Sequence, residues 1–351
     1  MSEIRVGLVG YGVAGRVFHA PLIVATPGLR LAAVVTSARR DEVQADHPGV
    51  EVVPSADELW ERSDLVVIAS PNRTHVPLAR SALERGKAVV VDKPLARTAA
   101  EAADLVRLSR ETGLMLTVFQ NRRWDGDFLT IQKLRPELGE IRRFESRFER
   151  WRPQPKGGWR EQEDPAEIGG LLYDLGSHVV DQALRLLGPV TEVYAEIDVR
   201  RAGVGADDDT FLALTHAGGA RSHLWVSAVA PLLGPRFRVL GSEAGYVKYG
   251  LDPQEDALRS GARPGPGIGA RSGAAAAWGV EPPERWGVVG TEDDSRTAPT
   301  EPGAYPEFYA GVARALLEGA PAPVEPESVV ELIAVLEAAR RSADTSSVVT
   351  L

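Results

Sequence analysis

The chain has 351 residues, a formal net charge of −9, 44% hydrophobic and 25% charged residues. This length is sufficient for two domains that each have a core. Acidic and basic residues are interspersed without a basic stripe, no apolar run approaches a membrane-spanning length, and the first residues show no signal-peptide pattern. We therefore predict a globular, cytoplasmic protein that binds neither nucleic acid nor membranes. The absence of cysteine excludes disulfides, thiol catalysis and thiolate metal sites.

The first apolar run, Ile4 to Val9, is of the buried-strand type and precedes a helical stretch. Between the two lie Gly10, Tyr11, Gly12, Val13, Ala14 and Gly15. This G-x-G-x-x-G pattern between a strand and a helix is typical of dinucleotide binding, because its glycines permit a tight turn, approach of the pyrophosphate and close helix packing. We predict that all six residues form part of a cofactor site. The alternative is a plain glycine-rich turn.

The end of the second apolar run bears on the choice of cofactor. It reads Thr36-Ser37-Ala38-Arg39-Arg40, and no acidic residue occurs before Asp41. Enzymes that prefer NAD usually place a carboxylate about 20 residues beyond the glycine motif. Ser37 and the two arginines suit a 2′-phosphate instead, so we predict NADP over NAD, with Thr36 also at the site. The alternative is that the arginines only begin a solvated helix.

Further apolar runs alternate with helix-like segments through the first third of the chain. The runs are Leu31 to Thr36, Leu65 to Ala69, Ala88 to Val91 and Met115 to Phe119. Near-continuous apolar runs are typical of parallel strands that are covered on both faces. Helices are predicted over Val76 to Arg85 and Thr98 to Glu111, each followed by glycine. Residues 1–121 are therefore predicted to form a Rossmann-type, doubly wound parallel α/β domain.

Ligands of such domains lie at the carboxyl ends of the strands. There the sequence places Pro71, Asn72, His75, Asp92 and Lys93, which we predict to line the cofactor site. Lys93 directly follows a buried strand and precedes a proline, so its ammonium group is expected at the mouth of the crevice, in reach of a substrate oxygen. The alternative is a solvated lysine at a strand end.

A carboxylate and an imidazole are spaced for one helix face in the middle of the chain. If a helix begins near Asp174, then Asp174 and His178 project together, while Leu175, Val179 and Leu186 enter a core. A neighbouring carboxylate orients an imidazole ring and can move its pKa across neutral pH, which suits acid–base catalysis. The alternative is a helix N-cap beside a surface histidine.

From Ile141 onward, alternating apolar and polar residues predict half-buried strands. The predicted strands are 143–149, 193–200, 210–215, 221–228 and 237–240. Without intervening helices they favour a large, mainly antiparallel open sheet, so residues 122–351 are predicted to form an α+β domain.

The remaining segments of this half are predicted as loops and closing helices. Residues 251–302 indicate a long loop, either a lid over the crevice or a subunit contact. Two helices, 305–318 and 326–343, close the chain. Asp207 to Asp209 are expected in a solvated turn, and no zinc site is expected at His216 and His223.

Taken together, these features resemble the Gfo/Idh/MocA family of nicotinamide-dependent sugar and polyol oxidoreductases over nearly the whole chain. The motifs that carry the resemblance are Gly10-x-Gly12-x-x-Gly15, Asp92-Lys93-Pro94 and Asp174-x-x-x-His178-x-x-Asp181. Asp92 replaces the commoner glutamate of the second motif. The resemblance implies that Lys93, Asp174 and His178 are the catalytic residues. Residues 18–21, 121–124 and 158–161 further resemble the scyllo-inositol dehydrogenase branch, which uses NADP.

The resemblance also implies a reaction: hydride transfer between nicotinamide and a secondary hydroxyl or ketone of a cyclic polyol or sugar, without a metal. The predicted substrate-binding residues are Asn121, Arg122, Trp159, Arg160 and Tyr173. Two alternatives are a reductase of another carbonyl, such as an anhydro sugar or a diketone, and a non-catalytic dinucleotide sensor. A homodimer or homotetramer is expected from the resemblance alone.

Overall fold

The computed structural model describes residues 3–155, 157–158, 161–162, 168–265 and 278–351. Trp159 and Arg160, two of the predicted substrate-binding residues, lie outside the described residues, as do residues 266–277 of the predicted long loop. The described part of the chain contains no helix with the length and apolarity required to cross a bilayer.

A six-stranded sheet is formed by the first third of the chain. Its strands are β1 (Ile4–Val9), β2 (Leu29–Val35), β3 (Glu51–Val53), β4 (Leu65–Ile68), β5 (Ala88–Val91) and β6 (Leu116–Val118). All pairs are parallel, in the order β3-β2-β1-β4-β5-β6. The predicted doubly wound parallel sheet is confirmed. Its order reverses between β1 and β4, which places a ligand crevice at their carboxyl ends.

Helices cover this sheet. They are α1 (Ala20–Ala25), α2 (Arg40–Asp46), α3 (Ala56–Trp60), α4 (His75–Glu84) and α5 (Ala99–Thr112). The two helices predicted from sequence, α4 and α5, are confirmed with a shift of one residue. The α5 helix begins with a capping box between Thr98 and Glu101 and ends at Gly113, whose φ of +67° suits glycine.

The second sheet has nine strands, mainly antiparallel as predicted. They are β7 (Arg143–Glu149), β8 (Val190–Asp198), β9 (Asp209–His216), β10 (Arg221–Ser227), β11 (Phe237–Leu240), β12 (Gly245–Lys248), β13 (Gly287–Gly290), β14 (Ser295–Ala298) and β15 (Val349–Thr350). Their order is β14-β13-β12-β11-β7-β10-β9-β8-β15, and only β7 and β10 pair in parallel among these strands.

Five further α-helices lie in the described part of the chain after residue 125. They are α6 (Gly126–Leu138), α7 (Ser177–Leu187), α8 (Gln254–Arg259), α9 (Pro306–Glu318) and α10 (Pro326–Thr345). The predicted closing helices are confirmed as α9 and α10, each with proline in its first turn. The α10 helix packs against both α5 and β8, so it joins the two halves of the chain. The predicted domain boundary between residues 121 and 122 therefore stays a prediction.

The prediction of a long loop over residues 251–302 is wrong for its described part, which contains α8, β13 and β14. Both strands have four residues, too few to show a period, and glycine begins and ends β13. The carboxylate of Asp252 is buried and accepts backbone N–H groups of Gly126 and Gln254 at 2.7 and 2.8 Å. These bonds fix the start of α8 against α6. The choice between a lid and a subunit contact stays a prediction.

Candidate active site

Two adjoining cavities lie at the carboxyl ends of β1, β4 and β5. The first has a volume of about 300 Å³ and is lined by the glycine turn, the ends of β4 and β5, and the residues before α7. The second has a volume of about 450 Å³ and extends toward the nine-stranded sheet. Val13, Lys93 and Asp174 line both cavities, which therefore form one continuous crevice.

The three glycines of the turn have different structural roles. Gly10 has a φ of +97°, and a Cβ atom there would lie 2.6 Å from the carbonyl oxygen of Ala69. A Cβ atom at Gly15 would overlap the carbonyl oxygen of Gly10. At Gly12, by contrast, no atom lies within 4 Å of an added Cβ. The fold therefore requires Gly10 and Gly15, while Gly12 leaves a space that fits a dinucleotide pyrophosphate.

We expect Gly12→Val to weaken the binding of NADP and NAD by at least ~10-fold while the protein stays folded, because the new side chain fills only the space of the pyrophosphate. Titration of intrinsic fluorescence measures both dissociation constants. Gly218→Val is the matched control, since a Cβ atom at Gly218 also meets nothing within 4 Å and lies outside the crevice. Parent affinity in Gly12→Val would show that the glycines form only a turn.

Two residues predicted to bind cofactor line neither of the two cavities. Tyr11 is buried and donates its hydroxyl to Asp46 at 3.0 Å, so its side chain does not line the first cavity. His75 is also buried, with Nδ1 2.7 Å from the carbonyl oxygen of Pro94 and Nε2 2.9 Å from that of Ser70. It joins the loops that follow β4 and β5 and lines neither cavity. Pro71 and Asn72 do line the first cavity, beside its glycines.

The residues predicted to bind a 2′-phosphate lie at the end of β2 and the start of α2. They are Ser37, Arg39 and Arg40, and Thr36, predicted at the cofactor site, precedes them. Arg39 Nη1 lies 3.1 and 2.9 Å from the two carboxylate oxygens of Glu42, and Arg40 Nη2 donates to the carbonyl oxygen of Val52 at 3.0 Å. Sequence reasoning missed Glu42 because it considered only acids before the helix. The exposed Arg39–Glu42 pair contributes about 0–1 kcal/mol, so a phosphate can replace the carboxylate.

Lys93, at the end of β5, contacts the predicted catalytic aspartate. Its Nζ donates to the side chain of Asp174 at 2.8 Å and to the carbonyl oxygen of the same residue at 2.5 Å. Both side chains are largely buried and line the two cavities. The structure thus brings the strand-end lysine and the helix-start aspartate together across the crevice, although they are 81 positions apart in the chain.

Asp92 faces a histidine that sequence reasoning did not select as a site residue. Its Oδ1 lies 3.6 Å from Nε2 of the buried His19, whose Nδ1 is 2.7 Å from the hydroxyl of Tyr309. Although burial opposes its ionisation, the pKa of Asp92 is lowered, because His19 and the nearby Lys93 favour the charged form. Asp92 also lines both cavities. The sequence did contain a signal for His19, because it belongs to residues 18–21, one of the segments that resemble the scyllo-inositol dehydrogenase branch.

His178 lies in the first turn of α7 and lines the second cavity. It is buried, and its Nδ1 has no hydrogen-bond partner among the described residues. Burial lowers the pKa of His178 well below the usual imidazole range, and the cations Lys93 and Arg122 lower it further, while Asp174 opposes the shift. The predicted neighbour Asp174 thus does act on the pKa of His178, but burial and the two cations outweigh the carboxylate. His178 is a neutral imidazole at pH 7, able to accept a proton.

The helix that carries these residues begins with a π-helical turn, Leu172–Gly176, rather than with an N-cap at Asp174. The carboxylate of Asp207 accepts the N–H of Leu172 at 2.7 Å and the guanidinium of Arg340 at 2.9 Å. The solvated turn expected at Asp207 to Asp209 is therefore wrong, because Asp207 and Asp208 are buried. Asp207 fixes the start of the helix that presents Asp174 and His178.

The described substrate-binding candidates are divided between the cavities. Asn121 and Arg122 line the second cavity. The Arg122 guanidinium is buried between Asp125 and Glu255, and their charges raise its pKa although burial opposes this shift. Tyr173 lines the first cavity and not the second, so its assignment to the substrate is not supported.

Sequence reasoning missed most of the charged residues around the second cavity. They are Arg150, Arg152, Glu161, Arg201, Glu255 and Arg259. These residues come from the end of β7, the segment after it, the connection between β8 and β9, and α8. These residues follow no regular spacing in the sequence, because the topology of the nine-stranded sheet brings them together.

The sheet order and the open space at Gly12 define a class: the protein contains a Rossmann-type domain that is suited to a dinucleotide. Residues 4–120 match the model of the oxidoreductase family with an NAD-binding Rossmann fold, and residues 134–247 match the GFO/IDH/MocA C-terminal domain. The chain therefore belongs to the Gfo/Idh/MocA family.

Characterised and uncharacterised relatives align over nearly their whole length. The chain is 40% identical to the uncharacterized oxidoreductase YdgJ of Escherichia coli, covering 97% of each chain. It is 36% identical to the NADP⁺-dependent scyllo-inositol 2-dehydrogenase IolW of Bacillus subtilis, covering 97% of this chain and 94% of IolW. The solved structure of the oxidoreductase yvaA of Bacillus subtilis is similar with a TM-score of 0.92 at 35% identity, covering 100% and 99%. A solved structure of GenD2 from gentamicin A biosynthesis in complex with NAD has a TM-score of 0.76 at 26% identity, covering 100% and 97%.

Proposed function

We propose that the protein transfers a hydride between nicotinamide and a secondary hydroxyl or ketone of a cyclic polyol or sugar. The observation that carries the proposal is the convergence of Lys93, Asp174 and His178 on the second cavity, which is continuous with the cavity of the glycine turn. A substrate carbon in the second cavity would thus lie beside a nicotinamide whose diphosphate occupies the first. The scyllo-inositol activity named for IolW adds support for an inositol-like substrate.

The side chains around the second cavity have complementary parts in this reaction. Bound nicotinamide would accept the hydride from the carbinol carbon. In the same direction, neutral His178 accepts the hydroxyl proton, and in the reverse direction it returns that proton to the carbonyl oxygen. The ammonium of Lys93 stabilises negative charge that develops on this oxygen, and Asp174 positions the ammonium through the 2.8 Å contact. No metal is needed for any of these steps.

The test is an assay of the purified protein with NADP or NAD and a panel of inositols, sugars, anhydro sugars and diketones, followed by the absorbance of the reduced nicotinamide. Turnover of a cyclic polyol or sugar supports the proposal. Turnover of an anhydro sugar or a diketone alone would replace it with another carbonyl reductase. Tight cofactor binding without any turnover would indicate a dinucleotide sensor.

We also propose that NADP is the preferred cofactor. Arg39 and Arg40 are exposed at the end of β2, where the ribose of a dinucleotide bound at the glycine turn would lie. A 2′-phosphate would replace Glu42 as the partner of Arg39 and would gain a bidentate contact. The name of IolW, which specifies NADP⁺, is consistent with this preference, whereas the GenD2 structure contains NAD.

Arg39→Ala combined with Arg40→Ala is expected to weaken NADP binding by at least ~10-fold and to leave NAD binding nearly unchanged, because only NADP has the phosphate. The dissociation constants of both cofactors are compared by fluorescence titration. As a matched control, Glu42→Gln should tighten NADP alone, since it removes a carboxylate that competes for Arg39. A parent protein that prefers NAD, or equal loss of both cofactors, would contradict the assignment.

A homodimer or homotetramer is proposed through the face of the nine-stranded sheet opposite its helices. Phe211 and Trp225 lie in ring contact on this face, with centroids 5.1 Å apart, and the guanidinium of Arg147 lies 3.9 Å from the Trp225 ring. These half-buried side chains form a surface that a second copy can cover. The mass in solution by light scattering tests this proposal, and a monomer at micromolar concentration would contradict it.

A further inference from the structure

Among the described residues, the second cavity is lined by six cationic and five acidic side chains. Its cationic lining residues are Lys93, Arg122, Arg150, Arg152, Arg201 and Arg259, and its acidic lining residues are Asp92, Glu161, Asp174, Asp207 and Glu255. His178, buried among them, adds no positive charge, because its pKa is lowered. These lining residues sum to a positive charge, whereas the whole chain has a formal net charge of −9.

The acids of the cavity are already paired with particular cations. The pairs are Lys93–Asp174 at 2.8 Å, Arg259–Glu255 at 2.9 Å, Arg201–Glu161 at 2.9 Å, Arg340–Asp207 at 2.9 Å and Arg122–Glu255 at short distance. The fifth acid, Asp92, faces His19. Arg150 and Arg152 are therefore left without a carboxylate partner within the described residues.

Arg150 is the better placed of these two guanidinium groups. It is half-buried and lies over the ring of Phe148, with 4.9 Å between its guanidinium carbon and the ring centroid. The backbone N–H of Arg150 donates to Ser227, but no described residue accepts a hydrogen bond from its side chain. Burial lowers the pKa of Arg150, and the charge of Arg152 lowers it further. A guanidinium stays protonated in proteins, so the donor fork of this half-buried side chain remains available to a ligand.

A bound cofactor does not supply the missing anion. Its phosphates are expected at the glycine turn in the first cavity, which Arg150 and Arg152 do not line. Both arginines line only the second cavity, together with His178. The partner of these arginines would thus belong to the molecule whose hydroxyl or carbonyl group faces His178.

We propose that Arg150, with Arg152 beside it, binds an anionic substituent of the substrate, a carboxylate or a phosphate. The inference rests on the proposed function and narrows its substrate class to acidic sugars, polyol acids or phosphorylated polyols. The planar fork of Arg150 suits bidentate contact with either group, and the exposed Arg152 adds charge at the mouth of the cavity. The same contact orients the reacting carbon, because it fixes one end of the substrate at a distance from His178.

The test compares matched neutral and anionic compounds: glucose with glucuronate and glucose 6-phosphate, and myo-inositol with its monophosphate. We expect the parent enzyme to have the higher kcat/KM on an anionic compound. In Arg150→Gln, kcat/KM on that compound should fall by at least ~10-fold, mainly through KM, whereas neutral compounds should change by less than about threefold. The carboxylate and phosphate arms identify which anion is bound. The matched control is Arg143→Gln, because Arg143 is exposed at the start of β7, the strand that Arg150 directly follows.

Calorimetric titration of the same compounds into the NADP-saturated protein separates this inference from the proposed function. Anion binding that depends on Arg150, without turnover, would overturn the proposed function and retain the anion site. Efficient turnover of neutral compounds, with equal losses on neutral and anionic compounds in Arg150→Gln, would overturn the anion site and leave the proposed function intact. Parent-like use of anionic compounds by Arg150→Gln would likewise exclude the site.

Discussion

His178→Gln is expected to lower turnover in both directions by at least ~100-fold, because glutamine cannot take or return the hydroxyl proton. The dissociation constants of NADP and NAD should stay at the parent values, since His178 lines the second cavity and not the first. Stopped-flow measurement of the reduced nicotinamide with saturating substrate tests this loss. The effect should appear in kcat, because the proton moves only as the reaction proceeds.

Ser177→Ala is a matched control on the same helix. Ser177 is buried next to His178 in the chain, and its hydroxyl has no hydrogen-bond partner among the described residues, so its removal should leave both stability and turnover close to the parent. Near-parent turnover in His178→Gln would remove the imidazole from the mechanism.

The pH profile is a second readout of the same residue. The pKa of His178 is lowered well below 6.5, so the neutral base is present throughout the neutral range. Protonation occurs only as the pH falls through this lowered pKa, and it removes the base that polyol oxidation needs. The acid limb of kcat for oxidation should therefore lie below about pH 6.5 and should be absent from His178→Gln. A limb centred above pH 7 that depends on His178 would contradict the burial argument.

The elements that sequence could predict are those whose signal is local. β1 follows from a continuous apolar run, and α5 from its Thr98 start and Gly113 stop, because burial and capping are properties of neighbouring residues. The strand pair 287–298 carried no such signal. Each strand has four residues, and each is stabilised mainly by pairing with a neighbour that the sequence alone does not identify.

The difference between local and long-range signals also explains which site residues and contacts the sequence could predict. Lys93, Asp174 and His178 were found through motifs, and the structure places all three around one cavity. Their contacts were predicted only in part: helical spacing placed Asp174 beside His178, on whose pKa it acts, and the fold in addition joins Asp174 to Lys93. The burial that lowers the pKa of His178 comes from elements that pack against α7, among them β7, β10 and α10, and has no counterpart in local sequence. For the same reason Arg150, which β7 brings to the cavity, could not be selected beforehand.

Lys93→Met is expected to lower turnover by ~10²–10³-fold, the loss typical of removing one preorganised donor to a developing oxyanion. Methionine keeps much of the length of the side chain but removes its charge and its hydrogen bonds. Cofactor binding should survive, because the glycine turn remains. Lys87→Met is the matched control, since Lys87 precedes the same strand at its opposite end and lies outside the crevice. Parent-like kcat in Lys93→Met would show that Lys93 has only a structural role.

A double-variant cycle with Asp174→Asn decides how the aspartate acts. If Asp174 works by positioning the ammonium of Lys93, its substitution should lower kcat in the parent but add less than about twofold to the loss already present in Lys93→Met, because coupled residues are not additive. If Asp174 instead contacts the reacting hydroxyl independently, the two losses should multiply. Lys93→Arg adds a third comparison. It retains the positive charge beside Asp174, but the planar guanidinium cannot occupy the position of the Lys93 ammonium. The 2.8 Å contact predicts strong coupling, and fully multiplicative losses would show that this ion pair is not the unit that stabilises the oxyanion.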